Sequence, residues 1–276
     1  MKSLTSTGAA LLLCCASASA NDGNQTSLPL WEVGVVGASA STPAYPGSAQ
    51  RSSRTLALPY FLYRGEVLRA DQSGIGARLL NTDAVEFDIG FALSLPARSD
   101  EVPARRGMSD LGTLIEFGPR LKFNLGNPSP NSALRLEVPL RAVIEVRSGV
   151  RQQGWAFEPR LVFDANDASG AWNLNANLGL VLADASLNNY FYEVKAPFAT
   201  DDRPAYKARS GLISTRAGVG ASRKLGPHWR IFGFARYDDY ASSANRDSAL
   251  FQKNSGVSAG IGFAWTLHRS QARASN

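Results

Sequence analysis

Between Asp83 and Leu95 the apolar side chains Val85, Phe87, Ile89, Phe91, Leu93 and Leu95 take every second position, and Glu86, Asp88, Gly90, Ala92 and Ser94 take the others. A period of two belongs to an extended strand, whose successive side chains point to opposite faces. One face of this strand is greasy and the other carries two carboxylates.

The pattern recurs. In Leu111–Leu125 the apolar set includes Leu111, Ile115, Phe117, Leu121 and Phe123, with Glu116, Arg120 and Lys122 between them. In Ala133–Arg147 the even positions from Leu134 to Val146 are all apolar, and the odd ones hold Arg135, Glu137, Arg141, Glu145 and Arg147. Trp155, Phe157, Leu161 and Phe163 alternate with Glu158, Arg160 and Asp164, and Trp172, Leu174, Leu178, Leu180 and Leu182 with Asn173, Asn175 and Asn177. Val257 to Leu267 alternates large apolar with small residues. Weaker runs at Leu30–Ala40, Thr55–Tyr63, Glu66–Asp71, Ile75–Asn81, Gly211–Lys224 and Trp229–Tyr240 bring the expected total to twelve strands.

The connections separate two architectures. Arg64-Gly65, Thr82-Asp83, Gly126–Asn131, Asn166–Gly170 and Leu225–His228 are short; Ser41–Arg54, Pro96–Asp110, Ser148–Gly154, Ala183–Ser210 and Ala241–Asn254 are longer. They alternate along nearly the whole chain, except that Gln72–Gly74 falls in a long slot and is short. A soluble β-sandwich also alternates apolar and polar residues, but it requires neither alternating loop lengths nor polar faces so rich in charge. A transmembrane antiparallel up-and-down β-barrel of about 12 strands predicts an even strand count, short periplasmic turns and longer outer loops. On that reading the greasy faces meet lipid, and Glu86, Asp88, Glu116, Arg120, Glu137, Arg141, Glu145, Arg147, Glu158, Arg160 and Asp164 form an ionic network in the lumen.

Trp31, Trp172 and Trp229 open strands at the short-turn end, Trp265 lies near the end of the last strand, and Tyr60 and Tyr63 close the second one. With Trp155 toward the other rim they are the expected interfacial aromatic girdle. Pro119, Pro139 and Pro159 lie inside predicted strands; proline removes a ladder donor, so bulges are expected there. A register centred on the Gly126–Asn131 turn pairs residues whose numbers sum to about 257, setting Glu116 against Arg141 and Glu137 against Arg120. Between the next two strands a sum of 305 sets Arg147 against Glu158, Glu145 against Arg160 and Arg141 against Asp164, and avoids the like-charge pair of Glu145 with Glu158.

Processing signals change the picture at the N-terminus. Lys2, the apolar stretch around Leu11-Leu12-Leu13 and the Ala18-Ser19-Ala20 site read as a secretory signal peptide; the stretch is far short of the roughly 20 apolar residues of a spanning helix. The expected organisation is a signal peptide over 1–20, a periplasmic N-terminal tail over 21–29, the barrel over 30–267 and a periplasmic C-terminal tail over 268–276. Both cysteines, Cys14 and Cys15, fall in the signal, and Leu13 before Cys14 is not a lipoprotein pattern.

The formal charge of +6 is spread along the chain rather than clustered, which argues against nucleic acid and for a surface facing lipid and lipopolysaccharide phosphates. Hydrolytic chemistry would need a Ser-His pair with an orienting partner. His228 lies in a short turn and His268 past the last strand, so neither reaches an outer-leaflet substrate. No metal site or cofactor is expected from two distant histidines.

Leu58-Pro-Tyr-Phe-Leu-Tyr-Arg-Gly65, the stretch from Ala104 to Leu121 (A-R-R-G-M-S-D-L-G-T-L-I-E-F-G-P-R-L), R-P-A-Y at Arg203–Tyr206 and L-W-E-V-G-V-V-G at Leu30–Gly37 resemble the MipA/OmpV family. The resemblance covers nearly the whole chain after the signal. It implies an outer-membrane protein of Gram-negative bacteria; that the barrel does no chemistry is the expectation drawn from the two histidines. The implied role is a scaffold binding a membrane-bound lytic transglycosylase and a penicillin-binding protein, so that murein hydrolysis and synthesis are linked. A narrow passive solute channel and a surface adhesin acting through the long loops are the alternatives. One departure is Leu267, where relatives tend to end on an aromatic residue.

Overall fold

The computed structural model describes residues 28–71, 74–94, 99, 101–147 and 149–274. The expected signal peptide and most of the N-terminal tail lie outside the described residues.

Among the described residues thirteen strand segments follow one another: β1 (Trp31–Pro43), β2 (Arg51–Arg64), β3 (Leu68–Asp71), β4 (Gly74–Asn81), β5 (Val85–Ser94), β6 (Thr113–Gly126), β7 (Ser132–Val146), β8 (Val150–Phe157), β9 (Arg160–Asn166), β10 (Trp172–Ala183), β11 (Gly211–Leu225), β12 (Trp229–Asp239) and β13 (Ser255–Arg269). β8 and β9 are two halves of one stave, since both pair with β7 and both with β10. The staves are antiparallel to their neighbours in sequence, and β1 pairs with β13 to close a twelve-strand barrel. The wall is inverted relative to a soluble protein. Ile261 on the outside is 72% exposed, whereas Glu137 on the inside is 1% exposed.

Two registers differ from those expected. β6 and β7 pair Arg120 with Pro139 and Lys122 with Glu137, a sum of 259 rather than 257. The turn closes late, because Ser132 N–H folds back onto Ser129 O at 3.1 Å and a bulge lies between Asn124 and Gly126. The shift of two keeps each side chain on its face. β7 and β8 differ more: Glu145 faces Arg151, and Glu137 faces Arg160, so the sums are 296 and 297 and neither 305 nor 303. The expected loop Ser148–Gly154 is instead a tight hairpin, with Arg147 N–H donating to Gly149 O at 3.2 Å. Val150-Arg151-Gln152-Gln153 carries no apolar alternation, but main-chain bonds alone continue the hairpin there.

The prolines do not bulge as expected. The register on either side of Pro119 and Pro139 is unchanged; the β6–β7 ladder merely skips Gly118-Pro119. At Pro159 the stave breaks into β8 and β9. The three sites form one seam, bridged by Glu158 N–H to Pro139 O (3.2 Å) and Leu180 N–H to Pro159 O (3.0 Å). Missing donors thus sit side by side, where one local opening accommodates all of them.

Candidate functional site in the lumen and its loop cap

The inward side chains of β4 to β12 form two ion-pair runs. In the first, Arg78 meets Glu86 (3.2 Å), Lys122 bridges Glu86 and Asp88 (2.8 and 2.9 Å), and Arg120 grips Asp88 through two nitrogens (2.9 and 2.6 Å). Arg120 also reaches Glu137 at 3.9 Å, and Glu137 is held by Arg160 at 2.6 Å. Arg135 pairs with Asp164, whose other oxygen accepts from Asn175 at 2.7 Å. In the second run Arg141 joins Glu116 and Glu158 (3.3 and 3.0 Å), Arg216 joins Glu158 and Asp238 (3.6 and 2.7 Å), and Arg236 meets Asp238 at 3.0 Å. The pairs Glu116–Arg141 and Glu137–Arg120 therefore exist, but as diagonals across the shifted register. Such a ladder satisfies buried charges that would otherwise be costly.

Two residues expected in this network lie elsewhere. Glu145 accepts from Gly112 N–H (2.9 Å), Tyr190 Oη (3.1 Å) and Gln153 Nε2 (2.7 Å), so it fastens loops at the rim. Arg147 is exposed beside Asp110 at 3.8 Å. Both sit beyond the ladder because β7 overshoots the seam toward the long-loop end. Arg78, Lys122, Arg135, Arg216, Arg236 and Asp238 belong to the ladder and were not singled out from sequence. Lys122 and Arg135 stood on polar positions of strong strands; the others lie in strands whose alternation is broken by Gly, Ser and Thr.

Part of the opposite inner wall is apolar. Phe232 and Phe234 of β12 lie over Gly262 and Gly260 of β13, where an added Cβ would meet the rings at 2.5 and 2.6 Å. Tyr60 of β2 also faces inward, its hydroxyl 2.6 Å from Thr266 Oγ1. It is therefore not part of the girdle: it shares the even face of β2 with Leu56, Leu58 and Leu62. Tyr63 is outward and stacks on Phe61 (6.3 Å). Trp229 and Trp265 stack at 5.5 Å and Trp172 receives the Arg223 guanidinium at 5.1 Å, all at the short-turn end. Trp31 pairs with Tyr63 across β1 and β2, and Trp155 is exposed on β8 toward the other rim.

The long loops do not splay outward. Loops from four places on the ring meet in one apolar core of Tyr45, Val102, Leu111, Tyr192, Val194, Ala208 and Leu250, so they span the mouth. Tyr45 Oη donates to Leu250 O (2.6 Å), Arg105 to Phe191 O (2.9 Å), and Arg203 to Ala104 O (2.8 Å). Burial pushes the Tyr45 hydroxyl up to about 12, and burial together with the Glu145 carboxylate pushes Tyr190 up as well, so both act as donors at neutral pH. A helix, α1 (Ala185–Tyr192), is capped by Asp184, whose carboxylate accepts from Leu187 N–H at 2.8 Å. Leu187 packs against the inward-facing Leu114, Val143, Ala156, Val181 and Ala183. The helix thus enters the long-loop mouth as a plug.

Gly154 makes room for it. Its φ is +136°, and a Cβ there would lie 2.3 Å from Asp184 Oδ1 and 2.7 Å from Leu187 N. Gly154→Val is expected to undock α1, adding backbone strain of about 1–3 kcal/mol to the clash. Limited trypsin digestion in liposomes should then cleave at Lys195 or Lys207 faster than in the parent; unchanged digestion would show that the helix docks without this contact.

A family model described as MltA-interacting protein MipA matches residues 34–267. No curated protein matches the chain. Among solved structures, the COG4313 outer membrane channel from Pseudomonas putida F1 is similar at 12% identity and a TM-score of 0.48, covering 90% of this chain and 99% of that one. The NanC porin is similar at 8% and 0.39, over 85% and 100% of the two chains. Outer membrane phospholipase A from Escherichia coli is similar at 9% and 0.34, over 87% and 94%.

Proposed function

The chain belongs to the MipA family and is an outer-membrane β-barrel, and on that premise we propose that it is a non-enzymatic scaffold. It holds a lytic transglycosylase, and through it a murein synthase, at the inner face of the outer membrane. The observation that carries this reading is the family's description as MltA-interacting. The short-turn end, which in outer-membrane barrels faces the periplasm, offers a surface for it. There the two tails pair as a ribbon, with Leu30 N–H bonded to Ala272 O (2.9 Å) and Ala274 N–H to Leu28 O (2.8 Å). Arg64 anchors the ribbon through Pro29 O at 2.8 Å. His228 contacts Thr266 O at 3.0 Å at this same end, far from the outer leaflet, in keeping with a role without catalysis. The packed loop core and the charged lumen weigh against an open pore and against loops free to act as an adhesin.

Stable interfaces bury about 1,200–2,000 Å² in total, so the ribbon must act together with the turns at 127–131 and 167–171. Purified protein in liposomes is expected to capture a lytic transglycosylase of the MltA type. Replacing residues 268–274 and these turns with Gly-Ser should weaken capture about fivefold or more. Capture that survives every replacement would overturn the surface. Solute flux without capture would overturn the scaffold in favour of a channel.

A further inference from the structure

The lipid-facing wall is not apolar to its top. On β1 and β2 the odd residues point outward, with Val33 opposite Phe61 and Val35 opposite Pro59. Toward the long-loop end the same outward row turns to hydroxyls: Ser39 lies opposite Thr55, and Ser41 opposite Ser53. Their side chains bond in pairs, Thr55 Oγ1 to Ser39 Oγ at 3.0 Å and Ser53 Oγ to Ser41 Oγ at 2.9 Å. The register gives the height of this patch. Trp31 and Tyr63 pair at the short-turn girdle, and Ser41 and Ser53 pair ten residues farther along β1. Ten residues at about 3.3 Å each, on strands tilted by about 35–45°, climb roughly 25 Å, which is the height of the apolar band of such barrels. The hydroxyl pairs therefore stand where the acyl chains of the outer leaflet give way to head groups.

A cation is fixed beside them. Arg51, exposed on the outer face, donates from Nε to Ser41 Oγ (3.1 Å), from Nη2 to Ser41 O (3.1 Å) and from Nη1 to Val257 O (2.8 Å). These acceptors are a hydroxyl and two carbonyls, so they hold the guanidinium in place without neutralising it. They engage three of its five N–H groups and leave two for a ligand. The end of the 241–254 loop lies close by. Gln252 and Lys253 N–H both donate to Gly47 O (2.8 and 3.0 Å), and Ala49 N–H donates to Gln252 Oε1 (3.1 Å), just before Arg51. Arg246, Asp247, Phe251, Gln252, Lys253 and Asn254 line an open cavity of about 520 Å³ there. Asp247 is engaged by Arg209 at 3.5 Å. The rim over β13, β1 and β2 thus gathers the cations Arg51, Arg246 and Lys253 with serine hydroxyls and side-chain amides.

We propose that this rim is a binding site for one phosphorylated glycolipid of the outer leaflet, of the lipopolysaccharide class. A sugar phosphate lies on Arg51 and Lys253, since guanidinium suits phosphate geometrically as well as by charge. The sugar hydroxyls meet Ser53, Gln252 and Asn254, and the acyl chains run down the wall below. A second copy of this chain fits the patch less well. A two-fold contact sets the same surface against itself, which would bring Arg51 and Lys253 toward their own like charges. The site lies at the opposite end of the barrel from the proposed scaffold surface, so the two readings stand or fall separately.

The test titrates the full, folded barrel in detergent with lipid A carrying two phosphates and counts bound lipid by native mass spectrometry. One saturable lipid per barrel is expected. Lipid A stripped of both phosphates, and phosphatidylglycerol, should each bind about tenfold more weakly. Arg51→Gln with Lys253→Gln should weaken diphosphoryl lipid A about tenfold or more, and Ser53→Leu alone should weaken it less. Arg223→Gln at the short-turn end should change nothing. Heat-modifiable gel mobility checks that each variant is folded. The proposal is overturned if phosphate-free lipid A or phosphatidylglycerol binds as tightly as the diphosphoryl form, or if the folded double variant binds like the parent. Displacement by inorganic phosphate at the concentration of the lipid would overturn it in favour of a free-anion site. Cross-linking of two copies through Ser53→Cys in membranes would overturn it too, because a second chain would then cover the patch.

Discussion

Glu137→Gln is expected to destabilise the folded barrel by about 3–5 kcal/mol, the cost of removing one partner from a buried ion pair. Glu137 is the hub of the first ladder. Its carboxylate meets Arg160 at 2.6 Å, Arg135 at 3.8 Å and Arg120 at 3.9 Å, and it is 1% exposed. A neutral amide has nearly the same volume, so packing is kept while three guanidiniums lose their common counter-charge. Urea midpoints of protein folded into liposomes measure the loss. Adding Arg160→Met should recover part of it, because replacing both members of a buried pair with apolar or neutral groups costs less than breaking the pair. A Glu137→Gln barrel as stable as the parent would show that lumen water already screens these charges.

This hub was only partly legible in the sequence. Period-two alternation identified the faces of β5, β6, β7 and β10, because a strand with lipid on one side and charge on the other leaves a strong signal. Which carboxylate meets which cation depends on register, and register depends on turns. The Ser129–Ser132 turn and the Arg147–Gly149 turn are made by main-chain bonds that Asn-Pro-Ser-Pro-Asn and Arg-Ser-Gly-Val do not announce by hydrophobicity. The β7–β8 slip moved Glu145 from an expected lumen pair to a clamp on Tyr190 and Gly112. Tyr60 was placed by residue type rather than by parity; its even neighbours Leu56, Leu58 and Leu62 marked its face, but an apolar inner wall runs against the rule that lumens are polar. The loop core was illegible for another reason. Tyr45, Val102, Tyr192 and Leu250 are far apart in sequence and follow no period, so only tertiary structure brings them together. The short Gln72–Gly74 connection, the one break in the alternation of loop lengths, coincides with the hairpin that the short β3 makes beside β2.

Ile89→Arg is expected to cost about 2–4 kcal/mol, the penalty for a cation on the lipid face near the bilayer midplane. Ile89 sits in the middle of β5, between Ala77 on β4 and Pro119 on β6, with its side chain outward. Its neighbour Gly90 points inward, where an added Cβ would stand 3.6 Å from the Arg120 guanidinium. Gly90→Arg would thus set two like charges together and confound any comparison of faces. Ala92 is the cleaner inner partner. It lies opposite Glu116 in the β5–β6 register, so Ala92→Arg introduces an opposite-charge cross-strand neighbour of the kind that supports a sheet. Three residues apart on one strand, the same substitution should impair folding into liposomes at Ile89 and be tolerated at Ala92. Heat-modifiable gel mobility counts the folded fraction, and urea midpoints give the difference in stability. Equal losses at the two sites would mean that β5 does not divide lipid from lumen, and the inversion of this barrel's polarity would have to be abandoned.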